Sequence, residues 1–268
     1  MNPTIKQELV SIVMPNYNGA PYLEEAVASV CKQSHENWEL LIIDDGSTDN
    51  SLEIAQKLEK LDPRIHSLQT SEKFKPLTKG PGGARNTGIA AAKGQYMAFL
   101  DADDLWYSEK LERQIKAIKN NGWAFVCSPY DIIQKDGSFV KTYSIKRQRR
   151  NYNGLARLCD IGCLTALYDR NKVGTPYIPN TPFPARTDLH LWLQVLKEVP
   201  YAYTVGTEPL GAYRLVEGSV SANKLKMAKR TWETLRKGET MPLIKALYSF
   251  AFYATNGVLN NIALRRKV

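Results

Sequence analysis

Three short runs of the chain are apolar almost without interruption: Leu9-Val-Ser-Ile-Val-Met14, Trp38-Glu-Leu-Leu-Ile-Ile43 and Tyr96-Met-Ala-Phe-Leu100. A strand with one wet face alternates apolar and polar side chains. Unbroken runs of this length therefore belong to strands buried on both faces. Between them lie stretches with helical spacing: Leu23, Ala26, Val27 and Val30 within 22–32, Leu52, Ala55 and Leu58 within 52–61, and a helix at about 84–92. A weaker strand runs from Arg64 to Leu68. Strands alternating with helices predict an α/β fold whose sheet is mostly parallel and flanked by helices.

The third run leads straight into Asp101, Asp103 and Asp104. Ionised carboxylates are very costly to bury unpaired, so they must lie just past the carboxyl end of the strand, where an open α/β sheet binds its ligands. Asp101 and Asp103 are two apart, and in extended geometry they point to one side. Two oxygen ligands on one side suit a hard divalent cation that also holds phosphate, such as Mg²⁺ or Mn²⁺. The plainer reading is a turn with a capping aspartate ahead of a helix over 107–119. Capping accounts for Asp104 but not for all three. Asp44 and Asp45 close the second run ahead of Gly46-Ser47. Alone this is an ordinary turn signal, but two acidic clusters on one rim of a parallel sheet converge in space.

Gly80-Pro-Gly-Gly-Ala-Arg-Asn-Thr-Gly88 is neither a dinucleotide fingerprint nor a P-loop: Arg85 stands where the third glycine would fall, and there is no Gly-Lys-Ser/Thr. It offers a loop entering a helix with Arg85 near the positive end. That favours an anion such as phosphate, or a simple pair with a surface carboxylate. Asp188 begins a helix over 184–197 whose buried stripe is Leu189, Trp192, Leu193 and Leu196. It reads as an N-cap, shared with Thr187, or as a base if it faces the rim. His190 points elsewhere on that helix, and His35 and His66 stand alone. Cys31, Cys127, Cys159 and Cys163 show no framework or zinc spacing, which fits reduced thiols in a cytosolic protein. Met1–Glu8 has no apolar signal-peptide core.

Beyond Trp106 the sequence predicts a helix carrying Leu111, Ile115 and Ile118, a strand 123–127, a hairpin turning at Lys135-Asp-Gly137 and a basic loop over 146–150. A strand at 163–168, two short strands (201–205 and 210–213) and closing helices over 222–236 and 243–264 follow. Of the net charge of +9, the segment from Lys224 onward supplies ten Lys/Arg against Glu233 and Glu239, or +8. Confined to a tail, that excess argues against nucleic acid. A basic helix ahead of an apolar one instead suggests peripheral attachment to the anionic inner face of a membrane. Lys245, Asn256, Gly257, Asn260 and Asn261 count against a span. A helix that covers the domain's own core, or a dimer contact, is the other reading.

Taken together these blocks resemble the family 2 inverting glycosyltransferases of the GT-A fold, from about Val10 to Ser221. The resemblance rests on Ser11-Ile-Val-Met-Pro-Asn-Tyr-Asn18, Ile42-Ile-Asp-Asp-Gly-Ser-Thr-Asp49, Gly83-Ala-Arg-Asn-Thr-Gly88 and Phe99-Leu-Asp-Ala-Asp-Asp104, in that order. It implies a GT-A domain over 1–221, with a nucleotide-sugar half (1–106) and an acceptor half (107–221), then a helical extension over 222–268. It further implies that Pro15 and Tyr17 frame the nucleotide pocket and that Asp44 or Asp45 accepts from base or ribose. Arg85 would approach the nucleotide and Asp101 the ribose or sugar, while Asp103 would hold the Mn²⁺ or Mg²⁺ that bridges the diphosphate. Arg186-Thr-Asp-Leu-His-Leu-Trp-Leu193 resembles the segment carrying the catalytic base, with Asp188 in place and Thr187 where the family has Glu. Tyr213-Arg214 and Ser219-Val-Ser221 resemble a loop that closes over the diphosphate.

The implied activity is metal-dependent transfer of a sugar, from a UDP-linked donor, to a saccharide or lipid-linked saccharide acceptor in cell-surface polysaccharide or glycolipid assembly. Three other classes compete. A sugar nucleotidyltransferase should carry a Gly-rich loop after the first strand, where this chain has Pro15-Asn-Tyr-Asn18. A haloacid-dehalogenase-type phosphatase should carry Asp-x-Asp on the first strand. A non-catalytic nucleotide-binding module would follow if Asp188 were buried.

Overall fold

The computed structural model describes residues 6–75, 80–145, 147–183, 185–216 and 224–265; for 7, 224 and 257–265 the backbone alone is described. In chain order the elements are β1 (Lys6–Asn16), α1 (Ala20–Cys31), β2 (Trp38–Asp44), α2 (Ser51–Leu61), β3 (Ile65–Gln69), α3 (Gly82–Ala91) and β4 (Gly94–Phe99). Then come β5 (Leu105–Trp106), α4 (Lys110–Asn121), β6 (Phe125–Cys127), β7 (Tyr130–Ile133), β8 (Phe139–Tyr143), β9 (Arg149–Arg150) and α5 (Tyr152–Leu158). The chain continues through β10 (Leu167–Asp169), α6 (Arg170–Val173), α7 (Thr187–Glu198), β11 (Ala202–Thr204), β12 (Gly211–Arg214), α8 (Lys224–Glu233) and α9 (Leu243–Arg265).

The larger sheet has the order β3-β2-β1-β4-β10-β6-β11-β9, and a smaller one the order β5-β12-β7-β8. The first four strands of the larger sheet are mutually parallel, and β10 enters antiparallel between β4 and β6. Register is set by the apolar runs. Asn16 pairs with Asp44, Asp44 with Gln69, and Val13 with Phe99, so the carboxyl ends of β1, β2, β3 and β4 share one rim.

The unbroken apolar runs divide between two cores. Val13, Leu41, Ile43, Met97 and Phe99 face one layer with α3, α5 and α7. Val10, Ile12, Met14, Leu40, Ile42, Tyr96, Ala98 and Leu100 face the other with α1, α2 and α4. Successive side chains of a strand point to opposite faces, so a strand covered on both sides is apolar wherever a polar group has no partner; the buried Ser11 and Glu39 bond each other across β1 and β2. Gly88 is what lets α3 lie this close to the sheet, because a Cβ there would stand 2.5 Å from Val13 Cγ1. Gly88 thus serves helix–sheet packing, whereas a Cβ at Gly82 would meet Thr187 Cγ2 at 3.2 Å.

Two expectations fail locally, for one reason. The chain turns immediately after β4, with Asp104 N donating to Asp101 O at 3.0 Å. Extended alternation therefore does not carry through Asp101 and Asp103. Asp104 does not cap a helix either: β5 follows it, and α4 starts only at Lys110, with Glu109 before it. The basic stretch before α5 also differs from a plain loop, since Arg150 is buried and its guanidinium grips Asp160 through Nε and Nη2. The segment read as an extension lies against α5 and α7 and sends Leu235, Met241 and Ala246 into the core beside Trp192.

Candidate functional site

The rim is built from interlocked loops. Asn16, at the end of β1, donates from Nδ2 to Asp44 Oδ1 at 3.1 Å, and Asp44 Oδ2 accepts from the Gly46 and Ser47 amides at 3.1 Å each. Asn18, in the left-handed region at φ 53°, accepts from Thr48 N at 2.8 Å. This binds the 15–19 loop to the 44–49 loop. Asp44 is consumed by the turn it closes. Asp45 is only half-buried and accepts from Thr70 Oγ1 at 2.7 Å; burial, then the neighbouring Asp44 charge, raises its pKa. Pro15 is buried, and Tyr17 stands 61% exposed above the rim.

Arg85 is the junction of the site. It is buried in the first turns of α3, and its two terminal nitrogens diverge: Nη2 reaches Asp101 Oδ1 at 2.5 Å and Nη1 reaches Thr187 Oγ1 at 2.7 Å. Burial would lower its pKa, but the carboxylates of Asp101 and then Asp188 outweigh that and hold it charged. One guanidinium therefore ties the turn after β4 to the first turn of α7. Asp188 sits in that first turn, with its side chain 25% exposed, and Arg186 Nη2 is 3.5 Å from its Oδ2. It is not a cap: Arg186 occupies the N-cap position, and no side chain caps this helix. Asp101, Asp188 and Asp104 also all bear on the buried Cys163 thiol, whose pKa is pushed up first by burial. The 101–104 turn and the start of α7 thus meet in one region, while Asp44 and Asp45 share the rim through the strand register.

Arg214 stands behind the turn. Its amide donates to Asp104 Oδ1 at 2.9 Å, its Nε to Asp103 O at 2.9 Å, its Nη1 to Lys135 O at 3.0 Å and its Nη2 to Glu25 Oε2 at 2.7 Å. All three guanidinium nitrogens are engaged by the protein, which makes Arg214 a brace for residues 101–104. The Ser219–Ser221 part of the expected closing loop lies outside the described residues. Asp103 is left as the carboxylate least tied to its surroundings. Burial, then the Asp101 charge, raises its pKa to about 6 against the opposing pull of Arg214 and Arg85.

Sequence reasoning singled out the acidic residues and both arginines. It missed Asn16 as the partner of Asp44, Glu25 as the partner of Arg214, and Thr187 as the acceptor for Arg85. Asn16 was recoverable, since parallel register places the ends of β1 and β2 side by side. The other two depend on long-range packing that leaves no local pattern.

The model for "Glycosyl transferase family 2" matches residues 11–173. The chain belongs to this family. Over 250 residues, 93% of this chain and 96% of the relative, the glycosyltransferase is 39% identical to the "Putative teichuronic acid biosynthesis glycosyltransferase TuaG" of Bacillus subtilis. It is also 39% identical, over 90% of each chain, to the Escherichia coli protein named "UDP-Glc:alpha-D-GlcNAc-diphosphoundecaprenol beta-1,3-glucosyltransferase WfgD". Among solved structures, Staphylococcus aureus TarS (residues 1–349, in complex with UDP-GlcNAc) superposes with a TM-score of 0.64 at 18% identity, covering 91% of this chain and 71% of that one. This establishes the GT-A fold for the glycosyltransferase.

Family 2 enzymes of this fold generally use a divalent metal. Among the described residues no three His, Cys, Asp or Glu side chains gather to hold a metal by themselves, so a cation here would depend on one or two carboxylates and on substrate phosphate. Mg²⁺ and Mn²⁺ favour carboxylate and phosphate oxygens, and Mg²⁺ is commonly held by one or two carboxylates plus substrate phosphates. Asp103 offers a carboxylate of that kind, half-buried beside the Asp101 charge, where a bound cation would relieve the repulsion.

Proposed function

We propose that this glycosyltransferase moves a hexose from a UDP-linked donor to a hydroxyl of a lipid-linked saccharide, with inversion at C1, in the assembly of a cell-surface polysaccharide. The observation that carries the reading is the forked contact of Arg85 with Asp101 and Thr187, which holds the metal-side turn and the helix start bearing Asp188 in one frame. The 39% identity to a protein named as a UDP-glucose-dependent transferase acting on a diphosphoundecaprenol-linked sugar makes UDP-glucose the first donor to try. Such an acceptor sits in a bilayer, so the enzyme works at a membrane surface.

In this reading Pro15 and Tyr17 flank the nucleoside, and Asp45, supported by the Asp44 turn, accepts from base or ribose. Asp103 holds the divalent metal, whose chemistry is to neutralise charge on the departing diphosphate. Arg85 acts by orienting Asp101 toward the ribose or sugar, and Arg214 by fixing the 101–104 turn. Asp188 takes the proton of the acceptor hydroxyl as that oxygen bonds to C1. The C1–oxygen bond to the diphosphate breaks in the same displacement, and UDP leaves with the electron pair. Asp188 is partly open to solvent, which favours this role over a non-catalytic nucleotide-binding module.

The experiment is to follow UDP release and product formation from UDP-glucose and Mn²⁺ with a GlcNAc-diphosphate-lipid acceptor. Asp103→Asn should lose Mn²⁺-dependent UDP-glucose binding. Asp188→Asn should keep that binding and lose at least about a thousandfold in transfer. A β-linked product from the α-linked donor establishes inversion. Wild-type transfer by Asp188→Asn would remove it as the base.

A further inference from the structure

Helix α9 is amphipathic in an unusual sense: the side it turns to solvent is the apolar one. Its exposed apolar residues include Leu243, Ile244, Leu247, Tyr248, Ala251 and Phe252, with Ile244 84% exposed and Thr255 as an exposed polar residue among them. At about 100° per residue these six positions occupy one half of the helix circumference. The other half carries buried Ala246 and Ser249 and partly buried Phe250 and Tyr253 against the body of the protein, where Phe250 meets Trp232 of α8 edge-on at 5.5 Å. A helix packed on a soluble body normally shows charge on its outer side.

One border of this stripe is cationic. Lys245 is exposed on the same turn as Leu247 and Tyr248, and the Arg157 guanidinium from α5 lies 4.7 Å from the Tyr248 ring. Leu225 at the start of α8 is 85% exposed, and Lys229 is exposed on the same helix. The segment from Lys224 onward holds +8 of the chain's +9. Among the described residues no helix is long and apolar enough to cross a membrane. An apolar stripe with aromatic members, edged on one side by basic residues and unable to span, has the chemistry of a helix lying in a lipid interface.

We propose that the outer face of α9 docks on an anionic lipid bilayer, with Ile244, Leu247 and Phe252 entering the acyl boundary and Lys245 and Arg157 meeting the headgroups. The proposal rests on the lipid-linked acceptor of the preceding reading for its purpose, because α9 packs on α5, and α5 on the α7 that carries Asp188. Docking would hold the site at headgroup level. Charge selects the lipid over a second copy of the chain, since two such basic faces repel.

The test is co-flotation of the full chain with phosphatidylglycerol/phosphatidylcholine vesicles and with pure phosphatidylcholine, at low and high salt. Binding to the anionic vesicles, weakened by salt, is expected. The combined variant Ile244→Asp, Leu247→Asp, Phe252→Asp should reduce it at least tenfold. Lys245→Glu should reduce it about fivefold or more, the usual effect of one basic residue near such a surface. Leu61→Asp, at an exposed position on α2, should leave it unchanged. Equal flotation of the triple variant and the parent overturns the proposal. So does a parent that is dimeric by light scattering and that the triple variant makes monomeric, because the stripe then covers a second copy. Release of UDP from UDP-glucose with a short-chain, water-soluble acceptor should be unchanged in the triple variant. Loss of vesicle binding with that activity intact separates failure of docking from failure of the proposed reaction.

Discussion

Two buried polar clusters hold the same helix, and they differ in what they leave over. At the start of α7, Arg85 divides its guanidinium between Asp101 and Thr187, beside Asp188 and an incompletely neutralised Asp103. Further along α7, on the side toward the extension, Glu239 accepts from Tyr152 Oη at 2.8 Å and Gln194 Nε2 at 2.6 Å. It also meets Lys197 Nζ at 2.8 Å and His190 Nε2 at 3.0 Å. Both Glu239 oxygens have two polar neighbours each, while neither His190 ring nitrogen completes a hydrogen bond of good geometry. Burial, though it opposes the effect, is outweighed by these contacts, which bring the Glu239 pKa down to about 2. The first cluster keeps an excess of negative charge and partly open carboxylates. A carboxylate so surrounded stabilises, whereas one left short of cations is suited to receive a ligand that supplies them.

The largest effect that would break this contrast concerns Arg85. Arg85→Lys keeps the charge but cannot reach two oxygens in a fork. Transfer is expected to fall on the order of a hundredfold, with thermal stability little changed. The check is steady-state kinetics beside thermal unfolding. If transfer stays within threefold of wild type, the fork does not organise the site.

The opposite outcome is expected at Glu239. Glu239→Ala strands the buried His190 and frees Gln194 and Tyr152, so urea unfolding should show a loss of about 3 kcal/mol. At a temperature where the variant is folded, its turnover should stay within about twofold of the parent. A large loss of turnover without loss of stability would make this cluster part of the site.

The pH dependence follows with its sign. Glu239 has a folded pKa depressed to about 2 from an ordinary value of 4.5. The stability it contributes is therefore full above about pH 4.5 and is lost as pH falls from there toward about 2. Wild type and Glu239→Gln should differ by roughly 2–3 kcal/mol at pH 6. The difference should shrink progressively as the pH is lowered through that window, which denaturant titrations between pH 6 and 3 will show.

The contrast also explains what could be read in the sequence. The sheet was legible because strands buried on both faces must be almost wholly apolar, and the rim followed because parallel strands end together. Asp101, Asp103, Arg85 and Asp188 stood out because charged side chains at a strand end or a helix start are costly to bury without partners. Glu239 was not, since its partners lie on α5 and α7 and no spacing within 224–268 announces them. Its basic surroundings made it look like a minor acid in a cationic tail. Asp104 looked like a helix cap for a related reason. Its real partner, the Arg214 amide, is 110 residues away and invisible until β5 and β12 pair.

The smallest expected effect sharpens the contrast most. Thr187 immediately precedes Asp188 at the start of α7, and its hydroxyl accepts from Arg85 Nη1. Thr187→Val keeps the shape, including the methyl that would lie 3.2 Å from a Cβ at Gly82, and removes only the acceptor. Asp101 still neutralises Arg85, so the charge is not stranded. One buried N–H loses its partner, a cost of about 1 kcal/mol. If Thr187 serves orientation, that cost appears in transfer as a three- to tenfold lower kcat, with the KM for UDP-glucose unchanged and Thr187→Ser at the wild-type rate. If it serves stability, as the Glu239 cluster does, the same cost appears in urea unfolding and kcat does not move.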